Sequence, residues 1–416
     1  MKYSMHDFFD SFIDDLGDFF ERTESDPPFQ LKKIKFKDFK EEQEKVKEAY
    51  NKNHREYIIK NIEKIKLLEG NLSQHLIKNL SDFNIDNIVP VLRPLLHDKN
   101  SINKKDSYLI EYMRIYQKVK SRKSIGRENI FILEDHSGHY IKTMGMLILS
   151  SPLYFVGKRD KFLSWENSQH YKLIREKGLA RMMHLSLCCA LPPYNKLGAA
   201  KLLSISAFSD VVYDDYCIKW EKKDKEDVDL AIITTSTSMG LTGTPFQRIK
   251  LEKILHSDLD SSKSNSILWH RVKNIGSHGE AYSYSYALDF LSERSKEIAN
   301  NLYSCENKPT AAILMSLLKK MGISNKDAQM NKRGFFIGYL NEEALKSIQS
   351  GIKRNSRPVI DWENAALYFK GLYDNEHIQN AGKFNHLPNV NAAYLRRRER
   401  ANHCSEKDIF ISSFIN

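Results

Sequence analysis

The sequence predicts an α+β protein in which a mixed α/β core is flanked by a helical N-terminal region and a mostly helical C-terminal region. Three observations carry this. Apolar residues recur at helical spacing up to about Val119, the period shortens to that of strands between Asn129 and Leu149, and helical patterning returns after Leu288. These changes divide the 416 residues into a helical region 1–120, a core 121–290 and a C-terminal region 291–416 with a basic end.

Phe8, Phe9, Phe12, Ile13, Leu16, Phe19 and Phe20 stand opposite a face of aspartates, which predicts an amphipathic helix ended near Pro27-Pro28. Such a stripe packs into the protein's own core or receives a partner. Residues 39–96 keep a helical pattern, broken at Pro90 and Pro94, and an exit loop over 98–106 precedes a further helix through Tyr112 and Tyr116. Two strand-like runs, 129–133 and 140–149, flank Asp135-His136-Ser137-Gly138 and read as a β-hairpin. A helix through Tyr171, Ile174 and Leu179 leads to a third apolar run, 184–191, ended by Pro192-Pro193. The next helix opens at Asn195 and runs to Val212, and a strand over 228–235 enters a Ser/Thr/Gly-rich stretch, 236–244. Short β segments at 269–272 and 281–286 complete the core; no internal repeat is visible.

Hydrophobic residues at 41% and aromatics at 11% are enough to build a core. The net charge of +11, from 64 Lys+Arg against 53 Asp+Glu, favours anionic partners such as nucleic acid, although a Lys-, Asn- and Ile-rich composition also suits an AT-rich genome. Five cysteines, Cys188, Cys189, Cys217, Cys305 and Cys404, are odd in number and lack a CxxC pair. That pattern supports neither a disulfide framework nor a structural zinc site, and no metal is expected. Asp7, Asp10, Asp14, Asp15 and Asp18 interrupt the Phe-rich start, unlike a signal peptide, and no apolar run reaches the ~18 residues of a membrane helix. The expectation is a cytoplasmic protein with no membrane contact.

The strongest local candidate for chemistry is the turn from Pro192 to Ala200. A strand leading into Gly198, Ala199 and Ala200 and then a helix offers backbone N–H groups and the positive end of a helix dipole to a phosphate or pyrophosphate. A small-residue helix start packed on a sheet has the same signature. The spacing Asn195-x-x-Gly198-x-Ala200 resembles the pyrophosphate turn of GNAT-type acyltransferases, normally Gln/Arg-x-x-Gly-x-Gly/Ala, and the order hairpin, helix, strand, turn, helix, strand matches that fold. The likeness implies an acyl-CoA-like or nucleotide donor held at Asn195, Gly198, Ala199 and Ala200. Asn195 departs from the usual Gln or Arg, and the tyrosine acid usual after the next strand is not identified.

A broader succession is more specific. Leu149-Ser150-Ser151-Pro152, Gly157-Lys158-Arg159-Asp160, Phe162-Leu163-Ser164-Trp165, Pro192-Pro193-Tyr194, Leu197 to Leu203 and Thr234-Thr235-Ser236 resemble the DruA family of Druantia anti-phage systems. Gly243 to Arg248, Gly276-Ser277-His278-Gly279 and Arg333-Gly334-Phe335-Phe336 agree, so the resemblance covers most of the chain after Ile130. It implies other Druantia-type defence proteins as partners, including a helicase-like subunit, and supplies no catalytic residues. The region from Thr234 to Arg248 is also similar to Mom-like proteins, GNAT-fold enzymes that modify phage DNA bases, which is a fold-level analogy.

Other residues compete for a role. Lys158 and Arg159, beside Asp160 and near Trp165, suit a phosphate-binding loop with a stacking surface, or an Arg–Asp bridge that fixes the loop. Arg248 after its Gly-Thr-Pro turn, and Arg396, Arg397 and Arg398, suit phosphates or plain solvated faces. His136, His139, His270 and His278 are candidate acid or base groups by residue type, and His278 with Thr235 are the catalytic candidates. Asp215 with Glu221-Lys222-Lys223 has nuclease-like residue types but sits in a charge-rich segment. Two readings stay open: an enzyme that modifies a nucleobase or another acceptor, and a non-catalytic DNA-binding or sensing subunit.

Overall fold

The computed structural model of the chain describes residues 2–23, 30–77, 83–95, 103–117, 126–165, 171–224, 228–237, 245–247, 249–255, 267–272, 283–303, 310–352, 356–371 and 400–401. The architecture is mixed α+β and divides into two compact units. One comprises residues 1–60, 237–242 and 282–334; the other comprises 61–236, 243–281 and 335–416. Each gathers distant stretches of chain, so the units cut across the three successive regions read from the sequence. Burial of an apolar face requires a complementary face, wherever in the chain it lies.

In the first unit, the helix Met5–Leu16 starts with a capping box in which Ser4 and Asp7 satisfy each other's backbone N–H. Phe8, Phe9, Phe12 and Leu16 are buried, and Asp15 accepts hydrogen bonds from the Ser292 N–H (2.8 Å) and the Ser295 hydroxyl (2.6 Å). The apolar stripe therefore packs inside its own unit. The helix stops at Leu16, well short of Pro27-Pro28, because Gly17 is a poor helix former. Phe19 and Phe20 are buried beyond it, and Phe20–Arg22 pairs antiparallel with Leu31–Lys33. A second two-stranded ribbon joins Ser283–Tyr286 to Gln329–Arg333.

The second unit is organised by a seven-stranded sheet: β1 Pro90–Pro94, β2 Glu128–Asp135, β3 Lys142–Ser150, β4 Met182–Ala190, β5 Ile232–Ser236, β6 His270–Arg271 and β7 Phe335–Tyr339. Their spatial order is β1-β2-β3-β4-β5-β7-β6, and every neighbouring pair is antiparallel except β4 with β5. Two of these strands lie in stretches read as helical. Pro90 and Pro94 break a helix but are tolerated at a sheet edge, where β1 sits against β2. Phe335–Tyr339 is a short apolar run whose period alone does not separate strand from helix; it inserts between β5 and β6 and is buried there.

The helix Ala199–Ser206 lies on this sheet with Leu202, Leu203 and Ile205 buried. Gly145 of β3 allows the close approach, since a Cβ there would stand 2.5 Å from the Cys189 carbonyl oxygen and 2.9 Å from Leu203 Cδ1. Trp269 closes the same layer, its indole N–H donating to the Ser204 carbonyl at 3.1 Å. Among the described residues no helix is long and apolar enough to cross a membrane.

Candidate functional site

The one parallel pair among the described strands of this sheet, β4 with β5, marks the candidate site. β4 and β5 are paired over Met182↔Ile232, Met183↔Ile233 and His184↔Thr234, and their register ends there although β4 continues to Ala190. At the point of parting, the Thr235 hydroxyl donates to the Leu185 carbonyl at 3.0 Å, replacing a backbone ladder bond with a side-chain one. One residue further on, Ser186 is an extra residue in β4, because Leu185 pairs with Leu149 and Leu187 with Ile148. Bulges of this kind bend a strand and re-aim the residues beyond them.

His184 stands at the base of the divergence with Nδ1 3.1 Å from Thr234 Oγ1. Burial first, and then the charge of Arg159, push its pKa down to about 4, so the imidazole is neutral at pH 7 and a weak base. Cys188 and Cys189 follow on β4. Burial raises both thiols, Cys189 to about 12, which keeps them protonated and poorly nucleophilic. Cys188 Sγ lies 3.4 Å from the Ala200 carbonyl oxygen and ties the strand to the helix start.

The turn after β4 is two helices rather than the entry of one. Tyr194–Leu197 makes a single turn, Gly198 takes φ 99° and ψ 22°, and Ala199–Ser206 follows. That left-handed conformation favours glycine and ends the continuous helix expected from Asn195 to Val212; residues Asp210–Asp224 form a third helix. The Gly198 N–H returns to the Tyr194 carbonyl, while its own carbonyl accepts from Lys201 and Leu202. Tyr194 is anchored by its hydroxyl, which donates to Asp135 Oδ2 at 2.9 Å. Ala199 is buried, and Asn195, Gly198 and Ala200 are half-buried. Asn195 donates through Nδ2 to the Tyr116 hydroxyl at 3.4 Å, whereas its Oδ1 is buried with no hydrogen-bond partner in the protein. A buried acceptor left unsatisfied costs about 1–3 kcal/mol, so this atom calls for a donor from a bound molecule or water.

The other predicted residues are dispersed. Thr235 is buried and committed to Leu185. Arg159 corrects the expectation of a surface phosphate contact: it is 0% exposed and donates to Asp160 and to the Leu153 and Tyr154 carbonyls. Trp165 is also buried, its N–H on the Ile348 carbonyl, so it offers no stacking surface. Lys158 is half-buried, which draws its pKa down to about 8. Arg248, His278, Arg396, Arg397 and Arg398 lie outside the described residues.

His136 approaches Glu134 at 3.2 Å, and His139 lies against the Tyr140 ring. His270 stacks on Tyr339 with ring centroids 4.9 Å apart, and burial lowers its pKa. Asp215 accepts from Asn129 at 2.8 Å, and Trp220 donates to the same asparagine at 2.7 Å, a buried structural network rather than a metal-binding strand. The residue that sequence reasoning missed is His184. Its signal in the sequence is an imidazole at the first position of the apolar run 184–191.

A family model described as Druantia protein DruA matches residues 40–285, more than half of the chain. The chain belongs to the DruA family. The match takes in β2 to β5, the Pro192 to Ala200 turn and His184. A curated relative, Druantia protein DruA of Escherichia coli (strain UMEA 4076-1), is 28% identical over 135 residues, which is 31% of this chain and 31% of the relative. The chain thus aligns with about a third of the curated relative's length. No solved structure matches.

Proposed function

We propose that the chain is a component of a Druantia-type anti-phage defence system, and that its sheet unit is a GNAT-like transferase core acting on a nucleobase or another acceptor. The observation that carries this is the parting of β4 from β5 at Leu185 and Thr235, beside the Ser186 bulge, followed directly by a left-handed glycine and a helix start. A parted parallel pair leaves a strand edge on which an extended donor can lie, and a helix start receives its phosphates. When bound, an acyl-CoA-like or nucleotide donor supplies the transferable group.

In this reading, Asn195 Oδ1 accepts a hydrogen bond from the donor, and Gly198, Ala199 and Ala200 let its phosphates approach the backbone. His184, neutral beside Thr234, positions the base of that edge. The acceptor is a nucleobase or another group on or near DNA, and the partners are other Druantia-type proteins, including a helicase-like subunit. Melting-temperature shifts with acyl-CoA and nucleotide panels test the donor site, with Gly198→Glu as the blocked control. A donor that stabilises the wild type but not the variant, together with loss of phage protection in the variant, supports the reading. No shift with either panel and intact protection by Gly198→Glu refute it.

A second reading, a non-catalytic DNA-binding or sensing subunit, is favoured by the net charge of +11. It requires DNA affinity that falls steeply with salt and that drops on charge reversal at Arg396, Arg397 and Arg398.

A further inference from the structure

The chain leaving β3 runs through Leu153, Tyr154 and Phe155, which are 75%, 42% and 68% exposed. Three successive large apolar side chains in water are costly unless something covers them, and contiguous exposed patches of this kind mark interaction sites. This loop is held outward by a buried charge cluster. Arg159 donates to the Leu153 carbonyl at 2.6 Å and to the Tyr154 carbonyl at 2.8 Å. Asp160 balances Arg159 at 2.6 Å and Arg175 at 2.9 Å, and all three charged groups are almost fully buried. Burying charge opposes folding unless every partner is in place, so the cluster fixes one backbone geometry for the loop.

The ring surface has the composition of a stacking platform. The Arg175 guanidinium lies 4.4 Å from the Phe155 ring centroid and 5.6 Å from that of Tyr154, a cation set beneath two aromatic rings. The two rings meet edge to face at 4.8 Å and 76°, and Phe155 keeps most of its surface in water. On the helix that carries Arg175, Lys172 and Lys177 are exposed, as is Lys161 on the helix Gly157–Phe162, and with the buried Arg159, Arg175 and Asp160 set aside residues 153–177 hold four Lys against two Glu. Glu176 is the nearby acid in contact, accepting from the Tyr154 hydroxyl at 3.3 Å. Aromatic rings interleaved with exposed lysines match a polymer that alternates flat π-systems with phosphates, and match a purely apolar protein surface less well.

We propose that Phe155 and Tyr154 form a stacking platform for the bases of single-stranded DNA, with Lys161, Lys172 and Lys177 on the phosphates. The choice of DNA over RNA rests on the DNA reading above; the platform itself does not depend on transfer chemistry. Binding of a fluorescently labelled oligo-dT to the full chain, without any donor, is the test. Phe155→Ala and Tyr154→Ala should each weaken binding about 5- to 100-fold, the usual range for loss of one base–aromatic stack. Phe155→Trp should retain affinity. Phe155→Leu keeps apolar area but no ring and should behave like alanine. The side chains are exposed, and an unchanged melting temperature verifies folding.

Wild-type affinity in Phe155→Ala overturns the proposal. Full rescue by leucine also overturns it and points to an apolar protein partner, and tighter binding of oligo-U than of oligo-dT overturns the assignment to DNA. A chain that binds oligo-dT through Phe155 yet accepts no donor refutes the transferase reading alone. One that accepts a donor but binds oligo-dT independently of Phe155 refutes the platform alone.

Discussion

The Thr235 hydroxyl donates to the Leu185 carbonyl at 3.0 Å, and the parallel pairing of the sheet ends at that bond. Thr235 is buried, so its substitution by valine leaves the Leu185 carbonyl without this donor. The expected loss is about 1–3 kcal/mol in chemical denaturation. Thr235→Ser, which keeps the hydroxyl, should recover most of it; equal losses in both variants would assign the effect to packing.

His184 makes stability depend on pH. Its folded pKa of about 4 lies below the ordinary 6.5, so between these values the unfolded chain binds a proton that the native chain does not. Stability therefore falls as pH drops from about 6.5 to about 4, by on the order of 3 kcal/mol from this group. Denaturation at pH 7, 5.5 and 4.5 should show a steeper decline for the wild type than for His184→Gln. Parallel curves would refute the assignment.

Asp160 balances two buried guanidinium groups. Asp160→Asn removes that charge while Arg159 and Arg175 stay buried, and a loss of about 3–5 kcal/mol is expected. A melting temperature within a degree or two of the wild type would mean that water reaches the cluster.

Gly198 and Gly145 resist side chains for different reasons. At Gly198 the backbone is left-handed, so Gly198→Ala should cost about 1–2 kcal/mol through strain. Gly145→Ala drives a Cβ against the Cys189 carbonyl and should cost about 1–3 kcal/mol through overpacking. Gly198→Asn, which tolerates the left-handed region, should be milder than alanine, while Gly145→Asn should be worse.

Much of the local structure was legible. Short apolar runs on either side of a Gly-containing turn marked the β2–β3 hairpin, an apolar run ending at Pro192-Pro193 marked β4, and the phenylalanine spacing announced the first helix. The candidate site was half legible. Small residues at 198–200 signalled a special turn, but neither its division into two helices nor the contact of His184 with Thr234 could be read from spacing.

The sequence by itself determined the α+β class, the strand–turn–helix succession around Gly198 and the family, because periodicity, turn chemistry and motif order are properties of neighbouring residues. Only the tertiary structure decided that Pro90–Pro94 and Phe335–Tyr339 join the same sheet, that β4 and β5 part at Leu185, and that Arg159 faces inward while Phe155 faces water. Strand partnership and the burial of charge depend on which distant groups arrive to satisfy them. A guanidinium goes inside when Asp160 and two carbonyls meet it there, and no spacing along the chain records that encounter.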